Sequence, residues 1–182
     1  MSKFLSPVKT ILVNHKIKGG VFFIILILWL FCLPKNLFED PTSTVVDSSE
    51  GSLIGARIAD DGQWRFPQID SVPERFKQSI LHFEDEYFYK HPGFNPISII
   101  KAIGHNLIKE TRRGGSTITQ QVIRLSRKNQ SRTYSEKLIE VFMATRLEFR
   151  YSKEEILKLY ASHTPYGGNV VGLETAAWRY FG

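Results

Sequence analysis

The chain has 182 residues, 42% of them hydrophobic, with one cysteine, Cys32, and a formal charge of +6. The apolar share excludes a wholly disordered or collagen-like chain, and the length suits one ordinary domain with an appendage. A lone cysteine excludes a disulfide framework and a cysteine-based zinc site. The basic balance favours an acidic partner: nucleic acid, lipid phosphate or an anionic substrate.

Charge divides the chain into blocks. Residues 1–20 carry Lys3, Lys9, Lys16 and Lys18 with no acid, residues 34–70 carry three bases against seven acids, and residues 71–182 carry seventeen against eleven. Between the first two blocks, Gly19–Leu33 is uncharged and apolar all round, without the polar face of a surface helix. Membrane anchor, cleaved signal and core helix compete for this run. The sixteen residues between Lys18 and Lys35 would span about 24 Å as a helix, short of a hydrocarbon core of about 30 Å. Leu37 and Phe38 can extend it, and the flanking lysines can snorkel. Phe31-Cys32-Leu33-Pro34-Lys35 offers no small-residue cleavage site, which favours an uncleaved anchor over residues 19–38. The preceding lysines put residues 1–18 in the cytoplasm and everything after residue 38 outside, where nucleic acid is no partner.

Residues 39–70 read as a β-type linker. Thr44-Val45-Val46, Ser52-Leu53-Ile54 and Ala56-Arg57-Ile58, parted by Glu50-Gly51 and Asp61-Gly62, predict a small hairpin. From residue 71 to 182 the period is helical and the domain is mainly α. Ser71-Val72-Pro73-Glu74 has the form of a capping box, followed by Phe76, Ile80, Phe83 and Tyr87 on one expected inward face. Asn95-Pro96 opens a second helix, with Ile97 inward. Thr133–Phe149 is a third, with Leu138, Phe142 and Leu147 inward. Ser152-Lys153-Glu154-Glu155 is another capping box, leading into Ile156, Leu157 and Tyr160. Gly172–Phe181 is the last.

Three polar clusters carry the chemistry. Glu84-Asp85-Glu86 ends the first apolar face, where half-burial would raise a carboxylate's pKa and suit it as a base; a solvated helix end is the plainer alternative. Gly114-Gly115-Ser116-Thr117 before Ile118-Thr119-Gln120-Gln121 offers backbone N–H groups and hydroxyls at a helix start, a geometry for anionic oxygens or an ordinary capped turn. Lys101–Lys153 holds twelve bases and four acids, Glu140 lying three residues after Lys137 on one helical face. That block reads as a solvated face or as a phosphate-handling site, with room for a divalent cation between acid and phosphate.

These clusters, in this order, resemble the glycosyltransferase family 51 domain of class A penicillin-binding proteins and monofunctional peptidoglycan glycosyltransferases. The matching stretches are Glu84-Asp85-Glu86 to His91-Pro92-Gly93, Gly114 to Gln121, Arg132 through Lys137 to Glu140, Lys153 to Tyr160, and Tyr166-Gly167-Gly168-Asn169 to Gly182. Asp61-Gly62-Gln63-Trp64-Arg65-Phe66 looks like the 1C branch of those penicillin-binding proteins. The resemblance implies a lysozyme-like α-rich fold and an inverting transfer that polymerises lipid II into β-1,4 glycan strands at the cytoplasmic membrane. The partners it implies are lipid II, the growing glycan chain, the membrane and other cell-wall synthesis proteins; the cofactor it admits is Mg or Mn, reaching Glu140 through the diphosphate. Glu84 falls on the general base and Glu140 on the second essential acid. Ser116, Thr117, Gln120, Gln121, Arg124, Arg132 and Lys137 fall on the donor site. Glu84 and Glu140 are expected to face one cleft walled by Ser116, Gln120 and Lys137, with Phe83 and Phe88 leaving Glu84 partly buried. Glu136 stands where that family usually has arginine, and Ser162 where it usually has asparagine. Gly182 precedes the family's last helices and any transpeptidase domain, so a C-terminally truncated domain is expected. A lysozyme-like hydrolase and a non-catalytic cell-wall binding protein are the rival readings.

Overall fold

A computed structural model of the chain describes residues 5–98, 115–130 and 133–182, with side chains from residue 17 onward. The chain forms two compact units, Met1–Lys35 and Asn36–Gly182. The first is essentially helix α1, Leu5–Phe31. Except for the part-buried Trp29, its apolar side chains from Ile17 to Phe31 lie exposed around the helix, Phe22 and Phe31 at 68% and 80%. The uncharged run is therefore helical, but the helix begins before residue 19 and ends at Phe31, ahead of Pro34. Leu37 is buried, and Phe38 stacks on the His163 ring at 3.5 Å. Both belong to the second unit rather than lengthening the apolar helix. Among the described residues no helix is long and apolar enough to cross a membrane.

The second unit is mainly helical with two small sheets. The expected hairpin is present: β1 (Thr44–Asp47) pairs antiparallel with β2 (Leu53–Arg57), with an irregularity between Val46 and Asp47. The remainder of the 39–70 segment is woven into the domain. Strand β3 (Trp64–Arg65) pairs in parallel with β5 (Val170–Val171), which pairs antiparallel with β4 (Pro165–Gly167). Two hydroxyls complete the stitching: Phe66 N–H donates to Thr175 Oγ1 at 2.9 Å, and Ile69 N–H to Ser162 Oγ at 3.2 Å. Ser162 is thus a buried acceptor for this segment. A buried N–H left without such a partner costs about 1–3 kcal/mol.

Helix α2 spans Glu74–Glu84, followed by a 3-10 turn over Phe88–Lys90. Its cap is Pro73, without a side-chain hydrogen bond, so Ser71 does not form the expected box. None of its residues is buried. Phe83 and Tyr87, expected inward, are 84% and 44% exposed. Asn95 Oδ1 accepts the Ser98 N–H at 3.1 Å, capping a helical turn from Pro96. Ile97 there is exposed, not inward, and the rest of that expected helix lies outside the described residues.

The core forms around α3 (Ile118–Ser126), packed on α4 (Tyr134–Arg150) and α5 (Lys153–His163), with α6 (Leu173–Phe181) beyond. Ile118, Val122 and Ile123 of α3 meet Met143, Ala144 and Leu147 of α4 and Ile156, Leu157 and Tyr160 of α5, all buried. On α4 the inward face carries Glu140 with Met143, while Leu138, expected inward, is 72% exposed. The Ser152–Glu155 capping box forms as expected. Two glycines permit close approaches. A Cβ at Gly93, φ +93°, would lie 2.7 Å from the Ala144 carbonyl oxygen, and one at Gly172, φ +92°, 2.7 Å from that of Ser162.

Candidate active site

Of three consecutive acids at the end of α2, the fold buries the middle one. Asp85 is 7% exposed, whereas Glu84 and Glu86 are exposed, so the half-buried Glu84 expected from Phe83 and Phe88 is not what forms. Phe88 is fully buried; Phe83 points to solvent. The Asp85 carboxylate takes two bonds. His91 Nε2 lies 2.9 and 3.0 Å from its oxygens, and Ile118 N–H donates to Oδ2 at 3.1 Å. Gly93 N–H donates to His91 Nδ1 at 3.2 Å, so the ring's own proton sits on Nε2 and is donated to Asp85. Lys153 Nζ reaches the His91 carbonyl and Glu148, both at 2.8 Å, and sits 4.4 Å from the Phe88 ring centre. The segment after Glu84 is thereby fastened to α3, α4 and α5.

At the start of α3 the expected capping turn is real and largely self-satisfied. Thr117 Oγ1 accepts the Gln120 N–H at 3.2 Å and donates to the Gly93 carbonyl at 2.7 Å, and Gln120 Oε1 accepts the Thr117 N–H at 3.3 Å. Both residues are buried, Gln120 completely. The anionic oxygen met by this helix N-terminus is Asp85's own. Thr117 and Gln120 form the site's frame rather than its surface. Gln120 contributes through Lys137, whose Nζ donates to its Oε1 at 2.7 Å.

The surface is a cleft of about 460 Å³ lined by Ser116, Arg124, Thr133, Tyr134, Glu136, Lys137 and Glu140. Arg124 holds Glu140 through two bonds, Nε to Oε1 at 2.7 Å and Nη2 to Oε2 at 2.9 Å, with Nη2 also 3.3 Å from Ser116 Oγ. Lys137 Nζ donates to Ser116 Oγ at 2.7 Å and lies 3.3 Å from Glu140 Oε2. Two cations, one carboxylate and one hydroxyl therefore form a single network. Burial alone would raise the Glu140 pKa; the hydrogen bonds and charge of Arg124, then those of Lys137, outweigh it and hold the carboxyl below the usual 4.5. The Arg124 guanidinium is correspondingly pushed up by its hydrogen bonds to Glu140. Lys137 is the more open cation, its side chain 35% exposed against 16% for Arg124.

Glu136, one turn before Glu140, also lines the cleft and accepts from Arg127 Nη2 at 2.8 and 3.1 Å. This acid engages Arg127, the residue that caps the C-terminal end of α3, as well as placing a negative charge in the cleft. The sequence shows only the missing cation, because Arg127 lies nine residues away, just past the end of α3.

Glu84 and Gln120 are not among the cleft's lining residues, although both were expected there. Glu84 is attached to the site through α3: Gln121 Nε2 donates to Glu84 Oε2 at 2.8 Å. Three residues along the same helix, Arg124 reaches Glu140. Burial first and then the charge of Glu84 raise the Tyr160 pKa, which puts that phenol in the carboxylate's field. Arg132 lies outside the described residues. Asp85 and His91 were not singled out from sequence. Their one signal was the pairing of Asp85 with His91-Pro92-Gly93 in a single matching stretch.

The described residues do not build a cage for a divalent cation. Among the described residues, no three of His, Cys, Asp or Glu are placed to hold a metal ion together, and both Glu140 oxygens face cations. A cation here would rest on one carboxylate and on oxygens brought by a ligand.

A model of the transglycosylase family matches residues 50–182. The chain belongs to that family. It is 38% identical over 152 residues to penicillin-binding protein 1C of Escherichia coli K12, covering 82% of this chain and 20% of that protein. It is 39% identical over 117 residues to a monofunctional glycosyltransferase of Staphylococcus aureus JH9, covering 64% of this chain and 44% of that one. The chain thus spans less than half the length of these curated relatives. The transglycosylase match takes in every residue of the Asp85 clamp, α3 and the Arg124–Glu140 network.

Proposed function

We propose that this chain is the glycosyltransferase part of a membrane-anchored enzyme that polymerises lipid II into β-1,4 glycan strands during cell-wall biogenesis, on a fold similar to lysozyme's α-rich lobe. The observation that carries the reading is the convergence of Arg124, Lys137 and Ser116 on one cleft, attached by α3 to an exposed carboxylate, Glu84. Glu84 takes the proton from the acceptor sugar's 4-hydroxyl. The freed oxygen forms a bond to the donor's anomeric carbon from the face opposite the diphosphate. The bond to the diphosphate oxygen breaks, its electron pair leaving on undecaprenyl diphosphate. Lys137, Arg124 and the Ser116 hydroxyl meet the charge that grows there, which is where fixed dipoles and cations accelerate reactions most. Glu140 keeps both cations in place before the diphosphate arrives. Arg132 adds a further cation by its place in the sequence, and Thr117 and Gln120 hold the frame.

Lys137→Ala should reduce turnover of the diphosphate-linked donor by roughly ten- to a hundredfold, the size of one lost charge-assisted contact. Full-length protein assayed with labelled lipid II checks this. An equal loss with a donor lacking the diphosphate would make the lysine structural and remove the main support for the reading.

The N-terminal lysines and the uncharged run of α1 support an uncleaved anchor, with the second unit outside the cytoplasmic membrane. A reporter fused after Pro41 is expected to be active only in the extracytoplasmic space; activity in the cytoplasm would contradict the topology.

A further inference from the structure

Glu84 presents a problem of preorganisation. A general base has to hold one carboxylate oxygen toward the incoming hydroxyl, yet Glu84 is exposed, at the C-terminal end of a helix with no buried residue. Its neighbour Phe83 gives it no wall, being 84% exposed. Two contacts compensate, both from α3. The backbone next to Glu84 is fixed where Asp85 Oδ2 accepts the Ile118 N–H. The side chain is fixed where Gln121 Nε2 donates to Glu84 Oε2.

We infer that Gln121 is the positioning residue of the general base, rather than a substrate contact. Gln121 rides on a helix set into the core: its neighbours Gln120 and Val122 are fully buried. Its amide is therefore presented from a rigid element, as a group that orients another should be. The bond occupies one oxygen of Glu84 and leaves the other for the acceptor's proton. Three residues further along the same face, Arg124 holds Glu140. Helix α3 is then a common ruler that sets the base against the cations of the donor cleft, and a donated amide hydrogen bond is its connection to the base.

This inference rests on the proposed role of Glu84, and its test separates the two. Full-length wild type, Gln121→Leu, Gln121→Glu and Glu84→Gln are compared on labelled lipid II, with thermal melting alongside. Gln121→Leu removes the donor, and Gln121→Glu puts a like charge against Glu84 at nearly unchanged shape. Both should lower kcat by roughly tenfold or more, Gln121→Glu the further, with KM for lipid II within about twofold of wild type, the size of effect expected for one hydrogen bond to a charged group. Melting temperatures should be unchanged, because Gln121 is only partly buried. A rise in KM at constant kcat would make Gln121 a substrate contact and overturn the inference. So would wild-type kcat in both Gln121 variants while Glu84→Gln is inactive. Wild-type kcat in Glu84→Gln would instead overturn the role of Glu84 itself.

Discussion

Replacing Glu84 by glutamine should lower glycan polymerisation by about 10²- to 10⁴-fold, the usual contribution of a positioned general base. In free-energy terms that is roughly 3–5 kcal/mol of transition-state stabilisation. The folded state should not notice the change. Glu84 is exposed, and a glutamine carbonyl can still accept the bond from Gln121, so the melting temperature should match wild type. The effect should fall on kcat, since the acceptor hydroxyl still binds but finds no group to take its proton. Retention of more than about a tenth of wild-type activity would be too much for a lost base of this size.

Glu140→Gln should behave in the opposite way, losing stability together with activity. Its carboxylate, 8% exposed, holds the Arg124 guanidinium by two bonds and Lys137 by a third. Removing one partner of such a pair leaves the other charge largely desolvated, at a cost of about 3 kcal/mol, the low end of the range because Arg124 keeps Ser116. For a chain of this size that corresponds to a fall in Tm of roughly 6–12 °C. The pH dependence has a definite sign. The folded carboxyl is held below 4.5, so its stabilisation is fully present above the unfolded value and is lost as pH falls through the folded one. The gap in stability between wild type and Glu140→Gln should therefore narrow in acid below about pH 4.5 and stay constant above it. A variant as stable as wild type at pH 7 would mean that the pair is not held as described.

Local chemistry was the legible part of this sequence. The Ser152–Glu155 capping box, the hairpin over residues 44–57 and the apolar face of α5 are set by contacts within a few residues, and all are present. So is the pairing of Lys137 with Glu140, opposite charges three residues apart on one helix, whereas Arg124 reaches Glu140 from another helix, sixteen residues away. Non-local partners were not legible. Periodicity predicted an apolar face on α2 but could not tell whether anything covers it, and Phe83 and Tyr87 are exposed. Of the three adjacent acids only Glu84 lies in the helix, and Asp85 leaves it with φ −159°. Which one is buried depends on Ile118, thirty-three residues on, whose N–H Asp85 accepts. Two-residue strands such as β3 and β5 carry no period at all, and they pair across more than a hundred residues. Glu136 shows the same limit: its type suggested a charge lost from the site, while its pairing with Arg127 is a property of the fold.

The most direct test gives the full-length protein labelled lipid II in one reaction and polymeric peptidoglycan in another. The expected result is high-mass glycan from lipid II, with release of undecaprenyl diphosphate, and no soluble sugars from the polymer. Label remaining in monomeric lipid II while soluble sugars appear from the polymer would contradict it, because the cleft we propose to receive a departing diphosphate at Lys137 and Arg124 would then be cutting glycan instead.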